Sequence, residues 1–125
     1  MSQNVAWAEA KRLCEEDYHA KLLEIDSDAE NTVVNDELKQ RGHDHAWLGI
    51  TDRRSEGEWV LGSTGQSPVF TAWRSGEPDN FAKQRGIEED CGVTTPTDYK
   101  WNDLPCDHSI EYHSQDLKIA VVCEK

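Results

Sequence analysis

Four cysteines, Cys14, Cys91, Cys106 and Cys123, most strongly limit how this chain of 125 residues can fold. An even number of cysteines in a short acidic chain indicates disulfide bonds formed in an oxidising compartment, and four cysteines allow three ways of making two bridges. No Cys-x-x-Cys pair suggests redox or zinc chemistry instead. A chain of this length forms one domain, residues 1–125, whose single core benefits from such cross-links. We therefore expect a secreted or extracellular domain.

The charge of the chain disfavours several classes of partner. It contains 13 Lys and Arg against 25 Asp and Glu, a formal net charge of -12. Such acidity disfavours binding to nucleic acid or to an anionic membrane surface. No run of apolar residues in the sequence is long enough to span a bilayer. We expect no nucleic-acid partner and no direct insertion into a membrane.

The first third of the chain has the pattern of two helices. Apolar residues at helical spacing predict a first helix from about Val5 to Glu16. A second helix begins at Ser27, which can form a capping box with Glu30, and it ends near Gly42. The apolar residues that mark its buried stripe are Val34 and Leu38.

From Ala46 onward, short apolar runs separated by Gly, Pro, Ser and Asp predict strands and long loops. The runs are Trp47–Ile50, Glu58–Leu61 and Ile119–Cys123. Residues 62–106 have little regular periodicity, and a loop of that length needs something besides regular secondary structure to order it. Helices followed by strands indicate an α+β fold, and five tryptophans carry much of the apolar bulk expected in its small core.

Three short motifs in the second half of the chain are rich in hard oxygen donors. They are Gly76-Glu77-Pro78-Asp79-Asn80, Glu89-Asp90-Cys91 and Trp101-Asn102-Asp103. Calcium takes roughly six to eight oxygen ligands from carboxylates, amides and backbone carbonyls, whereas zinc and copper favour His or Cys. The candidate calcium ligands are Glu77, Asp79, Glu89, Asn102 and Asp103.

These motifs resemble the sugar-binding half of a C-type lectin domain, in which Glu-Pro-Asn or Gln-Pro-Asp is followed by Glu-Asp-Cys and Trp-Asn-Asp. Trp47–Ile50 resembles the central strand of that family, Trp7–Cys14 its first helix and Ala120–Lys125 its last strand. The resemblance covers nearly the whole chain. It implies the C-type lectin fold, with two helices, short antiparallel sheets, a long calcium-binding loop and two disulfides.

The resemblance also implies which residues act together. The implied disulfides are Cys14 with Cys123 and Cys91 with Cys106. The five oxygen donors above would bind one calcium ion and, through it, a sugar. A second, auxiliary calcium ion is implied by a likeness in Thr51–Gly57. Its matching ligands are Asp52, Glu56, Asn80 and Asp90.

In one respect the chain departs from this family. Such domains usually have an N-terminal strand before the first helix, but only Met1–Asn4 precede the helix here. We expect this strand to be shortened or missing.

The function implied is calcium-dependent binding of a carbohydrate or glycoconjugate. Glu77-Pro78-Asp79 matches neither of the family's sugar-selecting patterns, but its Glu77 favours mannose-type sugars (mannose, fucose, glucose and GlcNAc) over galactose. A galactose-type lectin is one alternative, and a module that binds protein or mineral on the same fold is another. Because a single shallow site binds sugar weakly, we expect an oligomer or a larger multidomain protein.

Other chemistry has less support in the sequence. His43, His45, His108 and His113 suggest a zinc site, but histidines in surface loops are much commoner. No Gly-x-Ser-x-Gly, phosphate-binding Gly loop or His-Glu-x-x-His motif occurs in the sequence. We therefore expect a binding protein and not an enzyme.

Overall fold

A computed structural model of the protein describes residues 2–3, 6–55, 57–74, 91–104, 106 and 119–124. The helices in these ranges are α1 (Trp7–Arg12) and α2 (Asp28–Gln40). The strands are β1 (Ser2–Gln3), β2 (Lys21–Leu22), β3 (Ala46–Thr51), β4 (Val60–Leu61), β5 (Cys91–Thr95), β6 (Lys100–Leu104), β7 (Ile119–Ala120) and β8 (Cys123–Glu124). The predicted α+β class is confirmed, but the helices do not all come first, because the two-residue strand β1 precedes α1 and β2 lies between the helices.

The first helix is shorter than predicted and changes its winding. α1 covers Trp7–Arg12 and continues as a π-helical segment over Leu13–Asp17, whereas apolar spacing predicted one helix from about Val5 to Glu16. Trp7 is 5% exposed, and its indole N–H donates to the carbonyl oxygen of Leu48 at 2.7 Å. This tryptophan therefore belongs to the core and joins α1 to the central strand.

The second helix begins at the N-cap residue that the sequence predicted, Ser27. The Oγ atom of Ser27 accepts a hydrogen bond from the N–H of Glu30 at 3.0 Å. The Glu30 carboxylate accepts from the N–H of Asp26 at 2.9 Å, one residue before the position that a capping box requires. At the other end Gly42 has a φ of +79°, the left-handed conformation in which glycine commonly ends a helix.

β3 is the centre of a six-stranded sheet. Its strand order is β1-β7-β3-β5-β6, with β4 also paired to β3, while β2 and β8 form a separate pair. Antiparallel pairing was predicted, and among the named strands only β3 with β7 runs parallel, at Ala46 and Ala120. Every residue of β3 is buried. A Cβ atom at Gly49 would lie 2.8 Å from the carbonyl oxygen of Leu22, so β3 passes β2 too closely for a side chain there.

Both implied disulfides are present. The Cys14–Cys123 bridge joins the π-helical segment after α1 to β8. The Cys91–Cys106 bridge joins the first residue of β5 to a cysteine two residues after the end of β6. The first bridge spans 109 residues of sequence and the second spans 15. The long bridge therefore closes the domain as a whole, and the short one closes the β5–β6 hairpin.

Tryptophan supplies much of the described core, as the composition predicted. Trp7, Trp47 and Trp101 are buried, and Trp59 and Trp73 are half-buried. Trp7 and Trp47 belong to one core cluster, and Trp101, Trp59 and Trp73 belong to another. Among the residues that the structure describes, no helix has both the length and the apolar character needed to cross a membrane.

Candidate calcium and carbohydrate site

Strand β6 carries the two candidate ligands of the primary calcium ion that lie within the described residues. Asn102 is opposite Val93 and Asp103 is opposite Gly92 in the antiparallel β5–β6 pair. The pair continues to Leu104 and Cys91, and Cys91 is the first described residue after residues 75–90. Both candidate ligands therefore lie opposite residues of β5 that are one or two positions after Cys91.

Arg74, the residue that precedes segment 75–90, also lies beside β6. The N–H of Arg74 donates to the carbonyl oxygen of Trp101 at 2.9 Å, and the N–H of Trp101 donates to the carbonyl oxygen of Ala72 at 2.8 Å. The guanidinium of Arg74 pairs with Asp98 at 3.0 Å. Residues 72–74 are thus attached to β6 immediately before Asn102, so the described residues on both sides of segment 75–90 lie beside the strand that carries Asn102 and Asp103.

The side chains of Asn102 and Asp103 have different environments. Asp103 is 1% exposed, whereas Asn102 is half-buried. The Oδ1 atom of Asn102 accepts the backbone N–H of Asp103 at 2.8 Å, which orients the amide so that its Nδ2 group is directed away from that N–H. Burial of a carboxylate is costly unless hydrogen-bond donors or a cation balance its charge. The pair thus offers one buried carboxylate and one oriented amide.

Asp52, an implied ligand of the auxiliary calcium ion, follows β3 and is 2% exposed. Its Oδ2 atom accepts the N–H of Gly57 at 2.9 Å. Its Oδ1 atom is buried without a hydrogen-bond partner in the described part of the chain. Thr51 pairs with Cys91 across the sheet, so Asp52 lies near the other end of segment 75–90. A buried, unsatisfied carboxylate oxygen fits the chemistry of a calcium ligand.

The remaining candidate ligands fall outside the described residues. They are Glu56, Glu77, Asp79, Asn80, Glu89 and Asp90. No group of three or more His, Cys, Asp or Glu suited to a metal ion lies within the described ranges, which contain only Asn102, Asp103 and Asp52 from the predicted sets. Of the histidines considered for zinc, His43 and His45 are half-buried, and His108 and His113 are also outside these ranges.

Two polar residues of α2 that pack behind β6 were not predicted from the sequence. Val34 and Leu38 were predicted as the buried stripe of α2, but Asn31 and Asn35 are buried with Leu38, and Val34 is only half-buried. The side-chain oxygen of Asn31 accepts the indole N–H of Trp101 at 3.0 Å. A polar pair four residues apart, on the same face as Leu38, was the available signal.

The family model described as "Lectin C-type domain" matches residues 3–113 of the chain. The chain therefore belongs to the C-type lectin domain family, and its fold is that of the carbohydrate-recognition domain of these lectins. The resemblance and the fold implied by the sequence are both confirmed.

Individual relatives support the assignment of the chain to this family. The chain is 36% identical to hepatic lectin of Gallus gallus over 97% of its own length and 50% of that protein's. It is 37% identical to asialoglycoprotein receptor 2 of Rattus norvegicus over 82% of its length and 32% of the receptor's. The chain thus spans half or less of the length of these relatives.

A solved structure shows the same fold. The carbohydrate-recognition domain of the mouse scavenger receptor C-type lectin matches with a TM-score of 0.80 at 28% sequence identity, covering 98% of this chain and 84% of that one. The whole chain is therefore comparable with a single carbohydrate-recognition domain.

Proposed function

We propose that residues 1–125 form one lectin domain that binds carbohydrate reversibly through a calcium ion and performs no covalent chemistry. The observation that carries this proposal is that Arg74 and Cys91, the described residues on either side of segment 75–90, pair with β6 next to Asn102 and Asp103. That segment contains three further oxygen donors. The proposed ligands of the primary calcium ion are Glu77, Asp79, Glu89, Asn102 and Asp103.

The oxygen chemistry of this set suits calcium. Four of the five side chains are carboxylates, and carboxylate and amide oxygens are the groups that calcium prefers. The four carboxylates leave a formal charge of about minus two after one dication is bound, so their mutual repulsion should weaken the site when the ion is removed. Calcium would supply the positive charge on which hydroxyl groups of a sugar can be held.

The protein groups would orient the sugar by hydrogen bonding. Ionised Glu77, Asp79, Glu89 and Asp103 can only accept hydrogen bonds, whereas the amide of Asn102 can donate. The hydrogen bond from the Asp103 N–H to Oδ1 of Asn102 supports this role because it leaves Nδ2 as the donor group. A pair of neighbouring sugar hydroxyls offers both donors and acceptors, which such a mixed set can satisfy.

We propose an auxiliary calcium ion at Asp52, with Glu56, Asn80 and Asp90 as the other ligands. The buried Oδ1 atom of Asp52 supports it. This ion would hold the loop after β3 against segment 75–90, and would thus order the segment that carries the primary ligands.

The preference for mannose-type sugars stays a prediction from Glu77. The comparisons do not support it, and the rat relative is named as a receptor for asialoglycoproteins. A galactose-type preference is therefore tested beside it, with a desialylated glycoprotein as one of the ligands.

We also propose that the domain acts outside the cell and that several copies act together. Its two disulfides favour an oxidising compartment. A shallow sugar site buries little surface and binds weakly, so joining several sites in an oligomer or a larger protein would raise the avidity.

The test is retention on immobilised mannose, fucose, galactose and desialylated glycoprotein, with calcium and with chelator. We compare the wild-type protein with Asp103→Asn, which removes a buried charge at the site, and with Glu16→Gln, which removes an exposed charge. We expect calcium-dependent retention that free sugar competes away and that only Asp103→Asn abolishes. Failure to bind any sugar would contradict lectin function, and retention of a protein or mineral despite chelator and free sugar would indicate the alternative function.

A further inference from the structure

Two buried asparagines of α2 lie behind the strand that carries the candidate calcium ligands. Asn31 and Asn35 are 3% and 0% exposed and lie one helical turn apart. A buried amide is costly unless its polar atoms are hydrogen-bonded, and an apolar side chain would fill such a position without that cost. The hydrogen bonds of these amides therefore indicate what they contribute.

Asn31 makes three side-chain hydrogen bonds that hold the beginning of β6. Its Oδ1 atom accepts from the indole Nε1 of Trp101 at 3.0 Å and from Nδ2 of Asn35 at 3.0 Å. Its Nδ2 group donates to the carbonyl oxygen of Tyr99 at 2.9 Å. Asn35 in turn accepts the hydroxyl of Thr94 at 2.8 Å. The asparagine pair thus connects α2 with β5, with the turn before β6 and with β6 itself.

Trp101 is held on its other sides by the residues that lead into segment 75–90. Its backbone exchanges hydrogen bonds with Ala72 and Arg74. Its ring packs edge-on against Phe70 and Trp73, with ring centroids 5.7 and 5.9 Å away. Any change in the orientation of the Trp101 indole therefore affects both β6 and residues 70–74, which precede the segment.

The position of Trp101 in the chain makes this orientation important for the site. Trp101 and Asp103 are two residues apart in β6, so their side chains lie on the same face of the strand, and both are 1% exposed. Asn102 lies between them. A shift of Trp101 along or around the strand would move both candidate ligands together.

We propose that Asn31 is a positioning residue for the primary calcium site. By accepting the indole N–H of Trp101, it fixes β6 at the residue immediately before Asn102 and Asp103. The inference rests on the proposed function. Residues that hydrogen-bond a metal ligand directly commonly change metal affinity about 10- to 100-fold. Asn31 acts one residue further away, through Trp101, so we expect Asn31→Leu to weaken calcium binding by up to about tenfold.

The experiment compares Asn31→Leu with Leu38→Ala. Leu38 lies on the same helix and packs against Ala46 and Ala120, in a different part of the core, so Leu38→Ala lowers stability without touching Trp101. Calcium affinity is measured by titration calorimetry at a temperature where each variant is folded. Hydrogen exchange of the Trp101 indole N–H is measured in the calcium-free protein, where no metal contributes to the signal.

We expect Asn31→Leu to speed exchange of that indole N–H and to weaken calcium binding, while Leu38→Ala changes neither by a comparable factor. Trp101→Phe removes the same hydrogen bond by removing its donor, the indole N–H. It should weaken calcium binding similarly, and adding Asn31→Leu should have little further effect. Trp101→Phe also serves as the test should Asn31→Leu fail to fold.

The outcomes separate this inference from the proposed function. A wild-type protein that binds no calcium would overturn both. A wild-type protein that binds calcium, together with equal affinities for Asn31→Leu and Leu38→Ala, would overturn the role of Asn31 alone.

Discussion

The Oδ2 atom of Asp52 accepts a hydrogen bond from the N–H of Gly57 at 2.9 Å, so this carboxylate closes the loop that follows β3. Its other oxygen, Oδ1, is buried and has no hydrogen-bond partner among the residues described. A nearby cation would compensate such an oxygen. One oxygen of Asp52 thus orders the loop, and the other is suited to an ion.

From this arrangement we predict that calcium stabilises the fold and that Asp52→Asn reduces the effect. A ligand at about 100 times its Kd adds roughly 2.7 kcal/mol to the free energy of unfolding. Asparagine retains an acceptor for Gly57 but brings no charge. Thermal unfolding with calcium and with chelator should show a smaller calcium-induced rise in Tm for Asp52→Asn than for wild type or for the exposed control Asp44→Asn. Equal rises in all three would count against the auxiliary site.

Calcium binding should weaken in mild acid. Glu77, Asp79, Glu89 and Asp103 must all be ionised to act as ligands, so protons compete with the metal. We expect the Kd for calcium to rise between about pH 7 and about pH 5, with sugar retention falling in parallel. Titration calorimetry at both values checks this, and a Kd that stays constant would contradict the proposed carboxylate ligands.

Mild acid weakens calcium binding, but through Glu124 it should increase the stability of the fold itself. Its carboxylate accepts the N–H of Glu24 at 2.7 Å. Burial, with the negative charges of Glu30 and Glu24, raises the pKa of Glu124 above its ordinary value, against the lowering effects of that hydrogen bond and of Lys21. A raised pKa in the folded state means that the ionised carboxylate destabilises the fold above this pKa, and that the penalty disappears as the pH falls below the unfolded value.

The corresponding prediction is that Glu124→Gln stabilises the calcium-free protein near about pH 7 and has no stabilising effect near about pH 4. The gain should be below about 1 kcal/mol because solvent screens a partly exposed charge. Urea unfolding at both values measures it, with the exposed Glu16→Gln as the control. A gain that is equal at both values would show that the charge of Glu124 is not its cause.

The two disulfides should contribute differently to stability and to binding. On the chain-entropy model the 109-residue loop is worth roughly 4 to 5 kcal/mol and the 15-residue loop about 3 kcal/mol. Replacing Cys14 and Cys123 by Ser should therefore cost more stability. Replacing Cys91 and Cys106 should cost more calcium affinity, because that bridge closes the hairpin beside Asn102.

Urea unfolding and calcium titration of the two double variants test this difference. If the double variant that loses more stability also loses more calcium affinity, calcium affinity follows global stability alone.

Local patterns were sufficient for α2 and for the family. Ser27 and Gly42 mark the ends of α2 through hydrogen bonds and dihedral angles that involve only nearby residues, so the sequence predicted them well. The π-helical segment Leu13–Asp17 was not predicted, because the same apolar spacing is expected for an ordinary α-helix. The parallel pairing of β7 with β3 was missed because strand order depends on contacts between distant segments.

For the candidate site, the sequence by itself determined which residue types are available and, through the family resemblance, which cysteines pair. It identified Asn102 and Asp103 because oxygen-rich motifs are readable from neighbouring residues, and Asp52 through the likeness of Thr51–Gly57 to the family. Only the tertiary structure placed Arg74 and Cys91 on either side of the candidate ligands in β6, and only it revealed Asn31 behind Trp101. Asn31 and Trp101 are 70 residues apart in the chain, and no local periodicity determines contacts over that separation. They are set by the packing of α2 against the sheet.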